Sequence, residues 1–157
     1  MTGANFTGWF LAGAGTLYAE ASQPVVFAAS RSSASISTNG VNNPRLSCYR
    51  QSAGTLNGYA INSSGTGNGV SGGASAIADT IHKTVLSYSA SNAQRVCANG
   101  NAGNTMVVDM TTSMATLNSL AIGADFIGNS NTYCGHIRKI MWWPLQMTTA
   151  ETQAFSK

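Results

Sequence analysis

Along this chain, apolar residues alternate with polar ones in short runs, and clusters of Gly, Asn and Ser separate the runs. Sustained 3.6-residue periodicity is absent. Short period-two runs at this spacing predict a β-sandwich or jelly roll. Residues 15–21 (GTLYAEA) open the series, with Leu17, Ala19 and Ala21 on one face and Thr16, Tyr18 and Glu20 on the other. Gln23-Pro24 ends that strand. Residues 25–29 (VVFAA) are apolar enough to predict a strand buried on both sides. Residues 33–37, 45–51 (RLSCYRQ) and 55–61 follow as strands, the first ended by Asn39-Gly40. In 45–51, Leu46 and Cys48 oppose Arg45, Ser47 and Tyr49.

Residues 63–75 (SSGTGNGVSGGAS) are the most Gly/Ser-rich stretch and predict a mobile surface loop, with a ligand loop as the alternative. No Lys-Ser/Thr pair or helix start follows these glycines, so a phosphate-cradling loop is not indicated. Residues 81–89 and 93–98 predict a hairpin joined by Ala90-Ser91-Asn92. Asn99-Gly100 supplies the positive φ values of a tight turn before residues 105–109. Residues 113–118 read as a short helical turn, and 120–123 and 125–127 as short strands. The last strand, 135–143, breaks its alternation: Ile137 and Ile140 are three apart, Ile140 and Trp142 two. A β-bulge at Arg138-Lys139 would reset the phase and aim all three at the core. Pro144 stops the ladder. Thr148 and Glu151 match a capping box, opening a short amphipathic helix with Phe155 as its anchor.

A chain of 157 residues predicts one domain, and 43% hydrophobic residues suffice for a full core. Charged residues make up only 8%, which points to an all-β extracellular or virion protein rich in Gly, Asn and Ser. The net charge of +3 comes from scattered cations with no basic block, which argues against nucleic-acid binding. No run approaches the roughly 18 apolar residues of a membrane span, and no basic-then-apolar leader opens the chain. Met1 is either the natural start or the start of an excised domain. Cys48, Cys97 and Cys134 are read as small buried strand residues, with a single disulfide as the alternative.

Several motifs together resemble a known family. Leu120-Ala121-Ile122-Gly123, a polar gap, Gly135-His136-Ile137-Arg138-Lys139-Ile140, Trp142-Trp143-Pro144 and a capped helix resemble the ending of concanavalin A-like (laminin G-like) jelly-roll domains. The similarity is strongest to those of bacteriophage tail-fibre and virion proteins. Thr2-Gly3-Ala4-Asn5-Phe6-Thr7-Gly8-Trp9 and Gly15-Thr16-Leu17-Tyr18-Ala19-Glu20 resemble how such domains begin. Leu86-Ser87-Tyr88 and Val96-Cys97-Ala98-Asn99-Gly100 resemble their middle strands. Trp142-Trp143 departs from the family, where tyrosines are more usual. The resemblance implies two antiparallel sheets packed face to face, one often concave. It also implies one domain over 1–157, excised from the C-terminal part of a longer phage protein and displayed on the virion as part of a tail fibre, head fibre or decoration.

The superfamily includes calcium-dependent lectins and glucanases, so its chemistries can be weighed against these residues. Retaining or inverting hydrolysis needs two carboxylates roughly 5 Å or 6.5–9.5 Å apart. The five acids, Glu20, Asp79, Asp109, Asp125 and Glu151, include no pair two or four residues apart, which argues against an enzyme. Calcium wants six to eight oxygens, so Ca²⁺ is unsupported and no cofactor is expected; Asp125, beside Asn129 and Asn131, is the one weak metal candidate. His82 and His136 read as strand residues. Flat aromatic rings with Asn, Arg and Ser nearby are what glycan binding uses. The candidate ligand residues are Arg45, Tyr49, Arg50, Asn131, Tyr133 and Trp143, with Trp9, Tyr59, Tyr88 and Trp142 as further aromatics; Trp142 is read as core. The expected partner is a host-surface glycan or capsule. The alternative is a structural module that contacts other virion proteins or forms a homotrimer, burying Trp9 and Trp143 between chains.

Overall fold

A computed structural model describes every residue except 27, 91, 92 and 126–131, and gives the backbone alone at 93. Its elements run α1 (Ala4–Thr7), β1 (Ala14–Ser22), β2 (Arg31–Ser37), β3 (Arg45–Arg50), β4 (Thr55–Ile61), β5 (Gly67–Ser75), β6 (His82–Ser89), β7 (Ala93–Ala98), β8 (Asn101–Val107), a 3₁₀ turn (Met114–Thr116), β9 (Ser119–Ile122), β10 (His136–Trp143) and α2 (Thr149–Phe155). The described strands form two antiparallel five-stranded sheets. Their orders are β10-β1-β6-β7-β8 and β5-β4-β3-β2-β9. No described helix is long and apolar enough to cross a membrane.

The period-two pattern explains the core. Leu17 and Ala19 of β1, Leu86 and Tyr88 of β6, and Val96 of β7 face Ala34, Ile36, Leu46, Cys48 and Ala60 from the other sheet. Phe6, Met110 and Met114 belong to the same buried cluster. At β10 the bulge is present: Glu20 pairs with Lys139 and Ala21 with Ile137, so Arg138 is the inserted residue. Ile137, Ile140 and Trp142 thereby stand opposite Ala21, Ala19 and Leu17, on the inward face. Trp142 Nε1 donates to Tyr88 Oη at 2.8 Å over Gly15, where a Cβ would collide with both groups. The Asn99-Gly100 turn has φ of 48° and 76°, as a primed hairpin turn requires.

The segment after β10 covers the outer face of the first sheet. Thr16 Oγ1 donates to the Leu145 carbonyl at 2.8 Å, and Ser87 Oγ to that of Met147 at 3.0 Å. Thr148 Oγ1 accepts from the Glu151 amide, and Glu151 Oε2 accepts from the Thr148 amide, completing the capping box. Met147, Thr152 and Ser156 are the buried residues here. Phe155 is 43% exposed and rests against Trp143, so it is not the anchor expected of it. α2 is held at both ends: Thr152 Oγ1 lies 3.2 Å from Cys97 Sγ, Gln153 Nε2 donates to the Gly100 carbonyl at 2.9 Å, and Ser156 Oγ accepts from the Gly100 amide at 3.1 Å.

Three further expectations fail for physical reasons. The described residues among 25–29 form no strand; Val25 and Val26 are 50% and 42% exposed. The space at that end of the sandwich is filled by Gln23 and Arg50, and Arg50 Nη2 donates to the Ala29 carbonyl at 2.8 Å. The Gly/Ser-rich stretch is largely β5, not a loop. Its glycines serve close packing: a Cβ at Gly72 would hit Ala98, and one at Gly103 of β8 would hit the Ser71 carbonyl and Gly72 Cα. Side chains there would push the two sheet edges apart. Cys48 and Cys97 are buried and free as expected, but Cys134 is exposed, free and outside any strand. The proposed strand 125–127 falls largely outside the described residues.

Candidate functional site

The outer face of the second sheet carries the one arrangement of sequence-nominated residues that converges. Alternation along β3 turns Leu46 and Cys48 inward and Arg45, Ser47 and Tyr49 outward. The β3–β4 register sets Tyr59 beside Ser47 and Asn57 beside Tyr49. Beyond Tyr59 on β5 lies Gly69, and a Cβ there would collide with the Tyr49 hydroxyl and sit 3.1 Å from Tyr59 Cδ2. The two rings therefore lean over bare backbone. They meet edge to face, centroids 6.0 Å apart at 87°.

Asp125 reaches this face from the end of β9. Ser32 Oγ donates to its Oδ1, and Ser35 Oγ donates to its backbone carbonyl and, at 2.9 Å, to that of Ala124. Asp125 Oδ2 then lies 3.2 Å from Arg45 Nη1, which also donates to Asn42 Oδ1 at 2.6 Å. Arg45 Cζ stands 5.1 Å from the Tyr59 ring centroid, a cation–π distance. Ser30, Arg45, Ser47, Tyr49, Tyr59 and Asp125 line a depression of about 250 Å³.

Two buried polar groups in this lining lack a hydrogen-bond partner among the described residues: Arg45 Nε and Ser47 Oγ. Asn57 Oδ1, next to Tyr49, lacks one as well. Buried groups left unpaired cost about 1–3 kcal/mol each, so such a cluster calls for an explanation. Asn57 Nδ2 donates to Tyr49 Oη at 3.2 Å and to Gln51 Oε1 at 3.0 Å. Burial pushes the Tyr49 pKa up, against the opposing pull of that Asn57 hydrogen bond, so the hydroxyl keeps its proton at neutral pH.

The remaining nominated residues do not join this site. Arg50, next to Tyr49, points the opposite way and is 1% exposed. It donates to Gln23 Oε1 at 2.7 Å and to the carbonyls of Gln51 and Ala29, an architectural role rather than a ligand-facing one. Tyr133 lies apart from the depression, its hydroxyl 3.1 Å from Nε2 of buried His82. Trp143 sits on the other sheet with its ring centroid 5.0 Å from that of Phe155. Asn131 lies outside the described residues. Trp9 packs within the chain, 4.9 Å from Phe6 and 5.1 Å from Trp142, so its ring is already engaged internally. Sequence reasoning missed Ser47, Asn57 and Gly69 and ranked Tyr59 too low. Pairing Ser47 with Tyr59 and Tyr49 with Asn57 across a 45–61 hairpin would have found the two polar residues.

Four of the five acids are taken up locally. Glu20 accepts from Tyr18 Oη at 2.8 Å and pairs with Arg138 at 3.3 Å. Asp109 accepts from the Thr111 amide, Glu151 caps α2, and Asp125 faces Arg45. Among the described residues, no three His, Cys, Asp or Glu side chains gather as a metal group would require.

No family model matches the chain, and no curated protein does. Solved structures do match. A heptameric SAP-like pentraxin from Limulus polyphemus superposes with a TM-score of 0.72 at 18% identity, over 92% of this chain and 70% of that one. The carbohydrate-binding module CBM40 of the Ruminococcus gnavus IT-sialidase, bound to α2,3-sialyllactose, gives 0.69 at 14% identity, over 92% and 83%. A leech intramolecular trans-sialidase gives 0.73 at 16% identity over 96% of this chain, which spans 24% of that enzyme. These likenesses, with the two sheets and the C-terminal helix, define the fold: an all-β, concanavalin A-like jelly-roll sandwich.

Proposed function

We propose that this chain is a non-enzymatic carbohydrate-binding domain whose ligand sits in the depression between Arg45, Tyr49, Tyr59 and Asp125. One observation carries the reading: two half-buried tyrosine rings flank buried polar groups that have no partner among the described residues. Sugar rings offer apolar faces to aromatic side chains and hydroxyls to such groups. The fold lends support, since the R. gnavus module was solved with a sialyllactose bound. Calcium is not part of the proposed mechanism, because the Asp125 carboxylate is already engaged by Arg45 and Ser32. Binding should therefore survive EDTA.

The test is a panel of immobilised glycans, followed by calorimetry on the hits. Tyr49→Ala and Tyr59→Ala should abolish measurable binding while leaving the far-UV spectrum unchanged, with Tm lowered a few degrees by the lost ring contacts. Failure to bind any glycan, or binding indifferent to both substitutions, would overturn the reading.

The resemblance of 120–155 to phage fibre domains extends the proposal to a virion surface, with a host-surface glycan or capsule as target. That part rests on the sequence alone, and immunolabelling of particles would test it. A second reading is a structural virion module. It is favoured by an apolar opening of about 300 Å³ between the β9 and β10 edges, lined by Met1, Trp9, Leu17, Leu120, Ile140, Met141 and Trp142. A homotrimer in solution by light scattering, with no glycan bound, would favour it.

A further inference from the structure

We infer that the depression selects an uncharged, hydroxyl-rich sugar over a carboxylated or sulfated one, and that Asp125 sets this preference. The inference rests on the glycan-binding reading and narrows it. Among the described residues lining the depression, Arg45 is the only cation and Asp125 the only anion. They face each other at 3.2 Å, with side chains 11% and 14% exposed. A pair so shielded from water is weakly screened. An anionic group entering beside it meets Asp125 as well as Arg45, so repulsion offsets attraction and its own desolvation goes uncompensated.

One unpaired group points the same way: Asn57 Oδ1, beside Tyr49, can only accept, so a sugar hydroxyl can donate to it and a carboxylate or sulfate cannot. Arg45 Nε and Ser47 Oγ do not discriminate, since either can donate to a hydroxyl or to an anion. Tyr49 Oη accepts from Asn57 and retains a proton to donate to a second hydroxyl. Asp125 does not adjust freely to an incoming anion, because Ser32 holds its carboxylate and Ser35 its backbone.

The experiment compares matched ligands that differ only in charge, lactose against 3′-sialyllactose and galactose against galacturonate, by calorimetry at low and moderate salt. Wild type should favour the uncharged member of each pair, with affinity insensitive to salt. Asp125→Asn, which keeps the shape and an acceptor for Ser32, should shift the charged-to-uncharged affinity ratio by about tenfold toward the anion and make that binding salt-sensitive. Wild-type preference for the anionic member, or an unchanged ratio in Asp125→Asn, would overturn the inference while leaving the glycan reading in place. Should Asp125→Asn not fold, the wild-type ratio and its salt dependence still decide. Absence of binding across a broad glycan panel would instead overturn the glycan reading itself.

Discussion

Gly58 offers a direct test of how closely the two sheets approach. It lies in β4 with its missing side chain directed at the opposite sheet. A Cβ built there would overlap the Val96 Cγ2 methyl and come within 3.1 Å of Leu86 Cδ1. Both neighbours are buried to within 1% of completely. Two terms oppose each other in Gly58→Ala. Restricting the unfolded chain stabilises by about 0.4–1 kcal/mol where the backbone is compatible. Overpacking a filled core costs about 1–3 kcal/mol. Gly13→Ala isolates the first term, because Gly13 is exposed, no described atom lies within 4 Å of its would-be Cβ, and its φ is not in the positive region. The two variants share the unfolded-state term, so their difference is the packing cost, about 1–3 kcal/mol. For a chain of this size that is a Tm gap of about 2–12 °C, with Gly58→Ala the less stable. Urea unfolding and differential scanning calorimetry both read it. Equal stabilities for the two variants would refute the inter-sheet packing described here.

Other consequences are simpler to check. Thr148→Ala removes the side-chain cap of α2 and should lower stability by about 1 kcal/mol in denaturant unfolding, with no change in m-value. Of the three thiols only Cys134 is exposed, and burial lifts the Cys48 pKa to about 12. Ellman's reagent should therefore titrate one thiol quickly in the native protein and three after denaturation; two or more fast native thiols would contradict the burial of Cys48 and Cys97. Burial holds the His82 pKa below its ordinary 6.5, so the native state binds fewer protons than the unfolded one. Its contribution to stability is present above about pH 6.5 and is lost as pH falls through the lower native pKa, with a slope of at most about 1.4 kcal/mol per pH unit. His82→Gln should flatten that slope, measured as urea midpoints between pH 7 and pH 5.

Much of the sandwich is legible in the sequence because its signals are local. Alternation fixes β1, β3 and β6, the Asn99-Gly100 pair marks a turn, and the broken phase at Ile137, Ile140 and Trp142 places the bulge at Arg138. What is not legible depends on contacts between distant elements. Gly72 and Gly103 look like loop residues until the edges of β5 and β8 are seen to meet. Val25 and Val26 look like core until Arg50 and Gln23 are found in the space they would fill. The site divides in the same way. Arg45 and Tyr49 share the outward face of one strand and can be paired by spacing. Asp125 arrives from 80 residues away (125 against 45), held by serines that carry no sequence signal. Arg50 adjoins Tyr49 in sequence, but a one-residue step in a strand reverses the side chain.

The central claim is that the Tyr49–Tyr59 depression is where this domain meets a sugar. Titration of ¹⁵N-labelled protein with an uncharged oligosaccharide that binds in the panel tests it most directly. The account predicts shifts concentrated on the Arg45 Nε–H, the Asn57 side-chain amide and the amides of Ser47, Tyr49, Tyr59 and Gly69. Shifts concentrated instead around Trp143 and α2, with the Arg45 Nε–H unmoved, would contradict it.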